Sequence, residues 1–534
     1  MTDDRPATAG ARPVSGPGVL PGHVRVAIVG SGFGGLGVAA GLRAAGIDDF
    51  VILERADGIG GTWRDNTYPG CACDVPSHLY SFSFAPNPRW RRAFSGQRDI
   101  LRYLEDVADR FDLRRHVRFG ADMTGSRWDE AAGRWQVRTS RGALTADTLV
   151  LATGPLSNPR VPDWPGLDSF TGEVFHSARW RHDLDLTGRR VAVVGTGASA
   201  IQFVPFIAPK VARLHLFQRT PAWIMPRMDR SITGAERALF ARLPAAQTAA
   251  RGGIWSLREI GVLGFVVRPS LLTLFSSIAH AQRAIQVRDP ALRRILTPDY
   301  QMGCKRILLS NDFYPAVSKP NVEVVASGVT RVGPSSVISA DGTEREVDTI
   351  ILGTGFHVTD FPIAALVRGR GGVLLADQWS ADGARALRGT TVAGFPNMFL
   401  VIGPNTGLSH SSMVQVIESQ VSYLVDALRL RDTRGLATIE PTPAAVRAWN
   451  ADVDRRMAGT VWATGGCRSW YLGPTGRVSV LWPGSTLRFR RATRAIDLTE
   501  YATATATAEP GVRAGLEAAP EVSTAPTDRP PVIT

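Results

Sequence analysis

The sequence predicts an α/β protein with two dinucleotide-binding, Rossmann-like folds. Three observations carry that expectation. VRVAIVGSGFGGLG, from Val24, sets a β-branched strand against a glycine-spaced turn and a small-residue helix. RRVAVVGTGASA, from Arg189, repeats that order. TLVLATG, ending at Gly154, and DTIILGTG, ending at Gly355, give one further buried strand and small turn behind each. A strand, turn and helix in this order bring backbone N–H groups and a helix N-terminus to a pyrophosphate.

Composition bounds the rest. A chain of 534 residues with 44% hydrophobic content can bury two or three domain cores but not one. The 61 basic residues exceed the 48 acidic ones by 13, but they are dispersed arginines, which favours an arginine-rich soluble surface over a nucleic-acid or anionic-membrane partner. Lys210, Lys305 and Lys319 are the only lysines, so Lys305 beside Arg306 draws notice. Cys71, Cys73, Cys304 and Cys467 are too few and scattered for a disulfide framework, and no second His/Cys cluster completes a zinc site, which implies a reduced, cytoplasmic protein. The first 23 residues lack the apolar core of a signal peptide and are expected to be disordered. Residues 254–281 are apolar, but Arg258, Glu259 and Arg268 interrupt them below spanning length and Pro269 breaks the helix. Buried or lid-like helices are expected there, with peripheral membrane contact as the lesser option.

In the first unit Gly30 permits the tight turn, Gly32 leaves the backbone open to a pyrophosphate, and Gly35 lets helix pack on strand. The next strand, FVILE, closes on Glu54, where a carboxylate can accept from the ribose hydroxyls of an adenosine. Gly58 to Phe84 is irregular and rich in glycine and aromatics, which suits a backbone lying against a planar ring system. A helix around Arg98 to Arg110 precedes strands that alternate through hairpin-like turns as far as Gly154. In the second unit Gly195, Thr196, Gly197, Ala198, Ser199 and Ala200 again join strand to helix. The offset from Gly30 to Glu54 leads from Gly195 to Arg219. An arginine cannot accept ribose protons but can grip a 2′-phosphate, so NADPH is expected there, with Thr220 adding a hydroxyl. Asn397 to Leu428 reads as a buried strand, a Gly-rich loop and an amphipathic helix whose N-terminus can face negative charge. The low-complexity stretch 502–534 is expected to be disordered.

Between the two units Phe170, Gly172, His176 and Trp180 fill the pattern F-x-G-x-x-x-H-x-x-x-W. In this context the pattern resembles the fingerprint of the flavin-dependent Baeyer–Villiger monooxygenases, with Arg181 where many members carry Pro or Asp. The resemblance runs from Val24 to Asp497. It implies an FAD-binding domain over 24–155 and 356–501, a linker over 156–185, and an NADPH-binding domain with a helical insertion over 186–355. It puts Thr62 and Trp63 beside the flavin, Asp74 near its reactive edge, Tyr80 closing on it, the Met123 backbone at the adenine, and Met413 in contact with the flavin. Taken singly, Trp63, Asp74, Tyr80 and Met413 also suit packing or capping roles. Lys305 is implied at the 2′-phosphate, Arg306 in the active site, and Trp470 on a loop over the nicotinamide, although the residues after Trp470 depart from the wording GANxPGK. The implied activity passes hydride from NADPH to FAD and adds O2 to give a flavin peroxide that attacks a ketone, yielding an ester or lactone. The rivals are an N- or S-oxygenase, a basic nucleotide-fold protein without catalysis, and a flavoprotein disulfide reductase. Against the last, Cys71 and Cys73 are separated by one residue where that motif has four, so a bond between them would close a strained ring.

Overall fold

The repeated strands pair as their sequences require. His23–Val29 lies between Phe50–Leu53 and Gly142–Leu151, parallel to both. All of Phe50–Leu53 and the last four residues of Gly142–Leu151 are buried, as strands covered on both faces must be. Met123–Asp129, Arg134–Thr139 and Gly142–Leu151 form the antiparallel meander. Met398–Leu400, from far along the chain, returns to this sheet beside Leu149–Leu151. The computed structural model describes residues 18–505 except 468 and 474, so the disorder expected of 1–17 and 506–534 lies outside the described residues.

The second sheet is wholly parallel, in the order Val322–Val325, Arg213–Phe217, Arg190–Val194, Thr349–Leu352, Glu173–His176. The fingerprint segment is therefore no free connector, because Glu173–His176 is this sheet's edge strand. Its glycine is sterically required: a Cβ on Gly172 would stand 2.4 Å from the Asp348 carbonyl oxygen. Trp180 packs 5.3 Å from Phe175 and 5.2 Å from Phe203, tying the segment to the core below. His176 accepts from the Ala178 N–H, and burial pushes its imidazole down to about 4 against partial support from the Gly355 backbone.

The structure corrects the sequence reading in four places. His23 already belongs to the first strand. Tyr501–Thr505 is a strand paired with Leu436–Pro441, since its alternating threonines suit an extended edge despite their low complexity. Cys304 and Cys467, 163 positions apart, form a disulfide with Cα atoms 6.1 Å apart, while Cys71 and Cys73 are free. Folding lays 301–304 against 465–467, where the Gln301 N–H donates to the Gly465 carbonyl at 3.1 Å, a proximity invisible in the spacing. Residues 254–281 are helical as expected, but one face of Pro244–Val262 and Leu272–Gln286 has no neighbour and stays exposed. No single helix among the described residues is long and apolar enough to cross a membrane.

Candidate functional site

The carboxyl ends of both parallel sheets open on one cavity of about 1220 Å³, lined by Leu53, Ala152, Val194 and Phe217 among others. Pockets for one small ligand run to roughly 1,000 Å³, so this one has room for more than one. Every residue that the sequence assigned to a cofactor or to the reacting centre lines it except Gly35 and Ala200, which stand behind the turns as packing, while the fingerprint residues Phe170, Gly172, His176 and Trp180 lie outside it.

The two turns are built alike. Gly30 and Gly195 hold φ of 102° and 105°, and a Cβ on either would meet a carbonyl oxygen, of Ala152 at 2.7 Å or Gly353 at 2.4 Å. Those carbonyls belong to the repeated TLVLATG and DTIILGTG segments, which explains why the repeats travel together. In the first unit a Cβ on Gly32 would lie 3.6 Å from the Gly61 Cα, so two glycine backbones line a cradle that side chains would fill, as a pyrophosphate of FAD requires.

Glu54 is 3% exposed and fully engaged. One oxygen accepts from the Ser31 N–H at 2.9 Å and its hydroxyl at 2.6 Å, the other from the Ala56 N–H at 3.0 Å and the Arg64 guanidinium at 3.0 Å. Burial pushes its carboxyl up, but Arg64 and these hydrogen bonds outweigh that and hold it below the usual range. A ribose hydroxyl reaching Glu54 must replace one of these donors, and the Ser31 hydroxyl is the one free to rotate. The Trp63 indole N–H donates to the Tyr80 hydroxyl at 3.1 Å, and Tyr80 stands edge-on to Phe33 at 5.0 Å. Burial raises the Tyr80 phenol far above its ordinary value, so it stays neutral. Thr62 opens the short helix Thr62–Asp65. Met123 buries its side chain in the core, leaving its backbone to the cavity. Met413 heads the helix Met413–Arg434 with its sulfur accepting from the Leu408 N–H at 3.3 Å, and the Ser412 side chain caps that helix.

Across the cavity, Arg219 is exposed and Thr220 half-buried. The Lys305 ammonium lies 4.8 Å from the Tyr300 ring centroid, and burial and then the charge of Arg219 lower its pKa. Two repelling cations, neither in a salt bridge among the described residues, suit the 2′-phosphate of NADPH.

Between the two arms, Arg306 grips Asp74 bidentately, Nε to Oδ2 at 2.7 Å and Nη2 to Oδ1 at 2.8 Å. The Asp74 charge raises the Arg306 pKa beyond its already high value. Burial pushes the Asp74 carboxyl up, but Arg306 outweighs it and keeps the carboxylate ionised. Sequence reasoning missed two neighbours. Arg258 donates from Nη2 to the Asp74 carbonyl at 3.3 Å, and Tyr471 is buried beside Arg306. An arginine inside an apolar run was the signal for the first; Tyr471 gave none. Trp470 is 46% exposed at the cavity and its ring lies 4.3 Å from that of Tyr471. Burial pushes the Cys71 thiol up to about 12 and Cys73 higher still, so neither offers the thiolate a disulfide reductase needs.

A shared cavity with a glycine cradle on one side and a phosphate-suited pair of cations on the other defines a flavoprotein that couples two dinucleotides. Residues 23–244 match the flavin-binding monooxygenase-like family. The chain is 61% identical over 480 residues to a Baeyer–Villiger monooxygenase of Streptomyces coelicolor, covering 90% of this chain and 92% of that one. It is 48% identical over 481 residues to a Baeyer–Villiger monooxygenase of Pseudomonas aeruginosa, covering 90% and 91%. Among solved structures, cyclohexanone monooxygenase from Rhodococcus sp. Phi1 bound to NADP+ superposes with a TM-score of 0.81 at 30% identity, covering 91% of this chain and all of that one. The chain belongs to the Baeyer–Villiger monooxygenases and is an FAD-containing, NADPH-dependent monooxygenase.

Proposed function

We propose that this enzyme converts a small ketone, with O2, to an ester or lactone, and that Arg306 held by Asp74 is the residue at its reacting centre. The observation that carries this reading is the bidentate ion pair lining the same cavity as the two glycine turns. Reduced FAD, when bound, supplies the activated oxygen. The chain's own contribution is charge and position. Arg306 is permanently cationic, so it neither donates a proton nor loses its charge as substrate enters. Negative charge developing on oxygen beside it is stabilised by a dipole and charge already in place, an effect worth a few kcal/mol (~3) in a site that excludes water. Asp74 keeps the guanidinium plane fixed, and the Arg258 contact with the Asp74 backbone keeps Asp74 fixed in turn. Gly30, Gly32, Gly35, Glu54, Thr62, Trp63, Tyr80, Met123 and Met413 hold FAD, while the Gly195–Ala200 turn, Arg219, Thr220, Lys305 and Trp470 hold NADPH. We infer no nucleic-acid partner, an FAD domain over 24–155 and 356–501, and an NADPH domain over 186–355.

Arg306→Ala tests the assignment by separating two half-reactions. FAD content and anaerobic reduction by NADPH should persist, while ester formed from a reactive ketone falls on the order of a hundredfold. Stopped-flow absorbance paired with product chromatography reads both. Near-normal ester yield from the variant would remove Arg306 from the reacting centre, and oxidation of a thioether without ester from the parent enzyme would replace the ketone reading.

A further inference from the structure

Pro244–Val262 runs on through a π-helical turn, Leu263–Val267, and the chain then bends by 120° into the helix Leu272–Gln286. The inner side of this bent pair is anchored. Phe265 and Leu272 enter a core cluster with Trp462 and Met457, the Trp255 indole donates to Thr486, and Glu259 accepts from Thr486 and pairs with His410. The outer side is a different surface. Of the eighteen large hydrophobic side chains exposed among the described residues, eight fall within 257–285. Leu257, Ile260 and Leu263 stand at helical spacing on the first arm and Leu274, Phe275 and Ile278 on the second, between 47% and 71% exposed. From 243 to 287 the exposed positions include no Asp or Glu and one charged residue, Arg268, at the bend. Arg242 and Arg288, both exposed, bound the two outer ends, Arg288 with the exposed Asp289 beside it as the cap of the next helix.

We propose that this face docks the enzyme on an anionic lipid bilayer, with the apolar residues at the headgroup and acyl boundary and the three arginines on the headgroups. The charge pattern selects this occupant. A second copy placed on the face about a two-fold axis would bring arginine rim to arginine rim with no exposed carboxylate between 243 and 287 to receive it, Glu259 being engaged by Thr486 and His410, and each copy carries a net charge of +13. A lipid surface supplies both the apolar layer and the counter-charge. The helix that docks is also the one that carries Arg258 to Asp74, so the membrane face and the cavity share one rigid element. The inference does not depend on which substrate the cavity takes.

The test is flotation of the FAD-loaded enzyme with vesicles of equal parts phosphatidylglycerol and phosphatidylcholine, beside vesicles of phosphatidylcholine alone. The enzyme should float with the anionic vesicles, and high salt should weaken its binding. Leu257→Gln combined with Leu274→Gln should lower the bound fraction at least about tenfold, and Arg268→Glu should lower it as well. All three substitutions are at exposed positions, so flavin absorbance and melting temperature should match the parent. An enzyme that stays in the lipid-free fraction overturns the proposal. So does a double variant that floats like the parent, or a dimer in sedimentation that the same double variant dissociates.

Discussion

The two glycine turns are near copies in backbone and opposites in charge. Both place a left-handed glycine under a carbonyl from a returning strand. The first then ends on Glu54, buried and holding four donors, while the second ends on Arg219, exposed and repelled by Lys305. The first is also more enclosed, since a Cβ on Gly32 would be in van der Waals contact with Gly61, whereas a Cβ on Gly197 would find nothing within 4 Å. A preorganised, enclosed turn suits a group that stays through many turnovers. An open turn with unspent positive charge suits one that enters and leaves in each cycle.

The largest effect should come from the packing difference. A Cβ on Gly35 would fall 1.8 Å from the Gly30 carbonyl oxygen, while the second unit already carries Ala200 at the matching position, fully buried. Gly35→Ala should cost about 3 kcal/mol or more and abolish recovery of yellow protein, whereas Ala200→Gly should cost about 1 kcal/mol. Flavin absorbance and thermal melting measure both, and a yellow Gly35→Ala protein with the parent's melting point would break the comparison. The charge difference comes next. Arg219→Ala should raise the KM for NADPH about tenfold to a hundredfold and leave that for NADH nearly unchanged, since a hydrogen bond to a charged group is worth about 1.5–3 kcal/mol. Glu54→Gln should do the reverse, loosening FAD and sparing the KM for NADPH. If both variants shifted the same cofactor, the opposition of the two sites would be lost.

The smallest effect concerns the edge strand between the halves. His176 has a folded pKa of about 4 against an ordinary 6.5, so the unfolded chain binds the proton more readily. Its contribution to stability is complete above 6.5 and is lost as pH falls towards 4. Denaturant midpoints across that window should decline for the parent and decline less for His176→Asn, which keeps an acceptor for the Ala178 N–H. Equal slopes would remove His176 as the source.

The parts of the molecule legible in the sequence are those that backbone geometry dictates. Gly30, Gly35 and Gly195 are forced by carbonyls a short distance away, and a turn of that kind leaves a fixed spacing. Arg219 followed because an offset counted in one unit transfers to its copy. Contacts made across the chain left no such trace. Arg64 reaching Glu54 was not foreseen, since nothing local marks which arginine among so many turns inward, and Arg258 was marked only by standing in an apolar run, which does not name Asp74 as its partner. Over 254–281 the sequence leaves buried helices, lid-like helices and, less favoured, membrane contact all open, because apolar content alone does not reveal which face has a neighbour. Tyr501–Thr505 was hidden by composition, its partner residues standing 60 to 69 positions earlier.

The Cys304–Cys467 link sets a radius. Cys304 immediately precedes Lys305 and Arg306, and Trp470 is three residues beyond Cys467. Three residues of fully extended chain reach about 10 Å, so while the bond is intact Trp470 is leashed to the strand of residues that carries both cations. With the bond intact, Trp470 stays within that reach of Cys467 and so beside the cavity it lines. Breaking the bond would leave Tyr471, buried one residue beyond Trp470, and the Gln301–Gly465 hydrogen bond to hold the segment in its place.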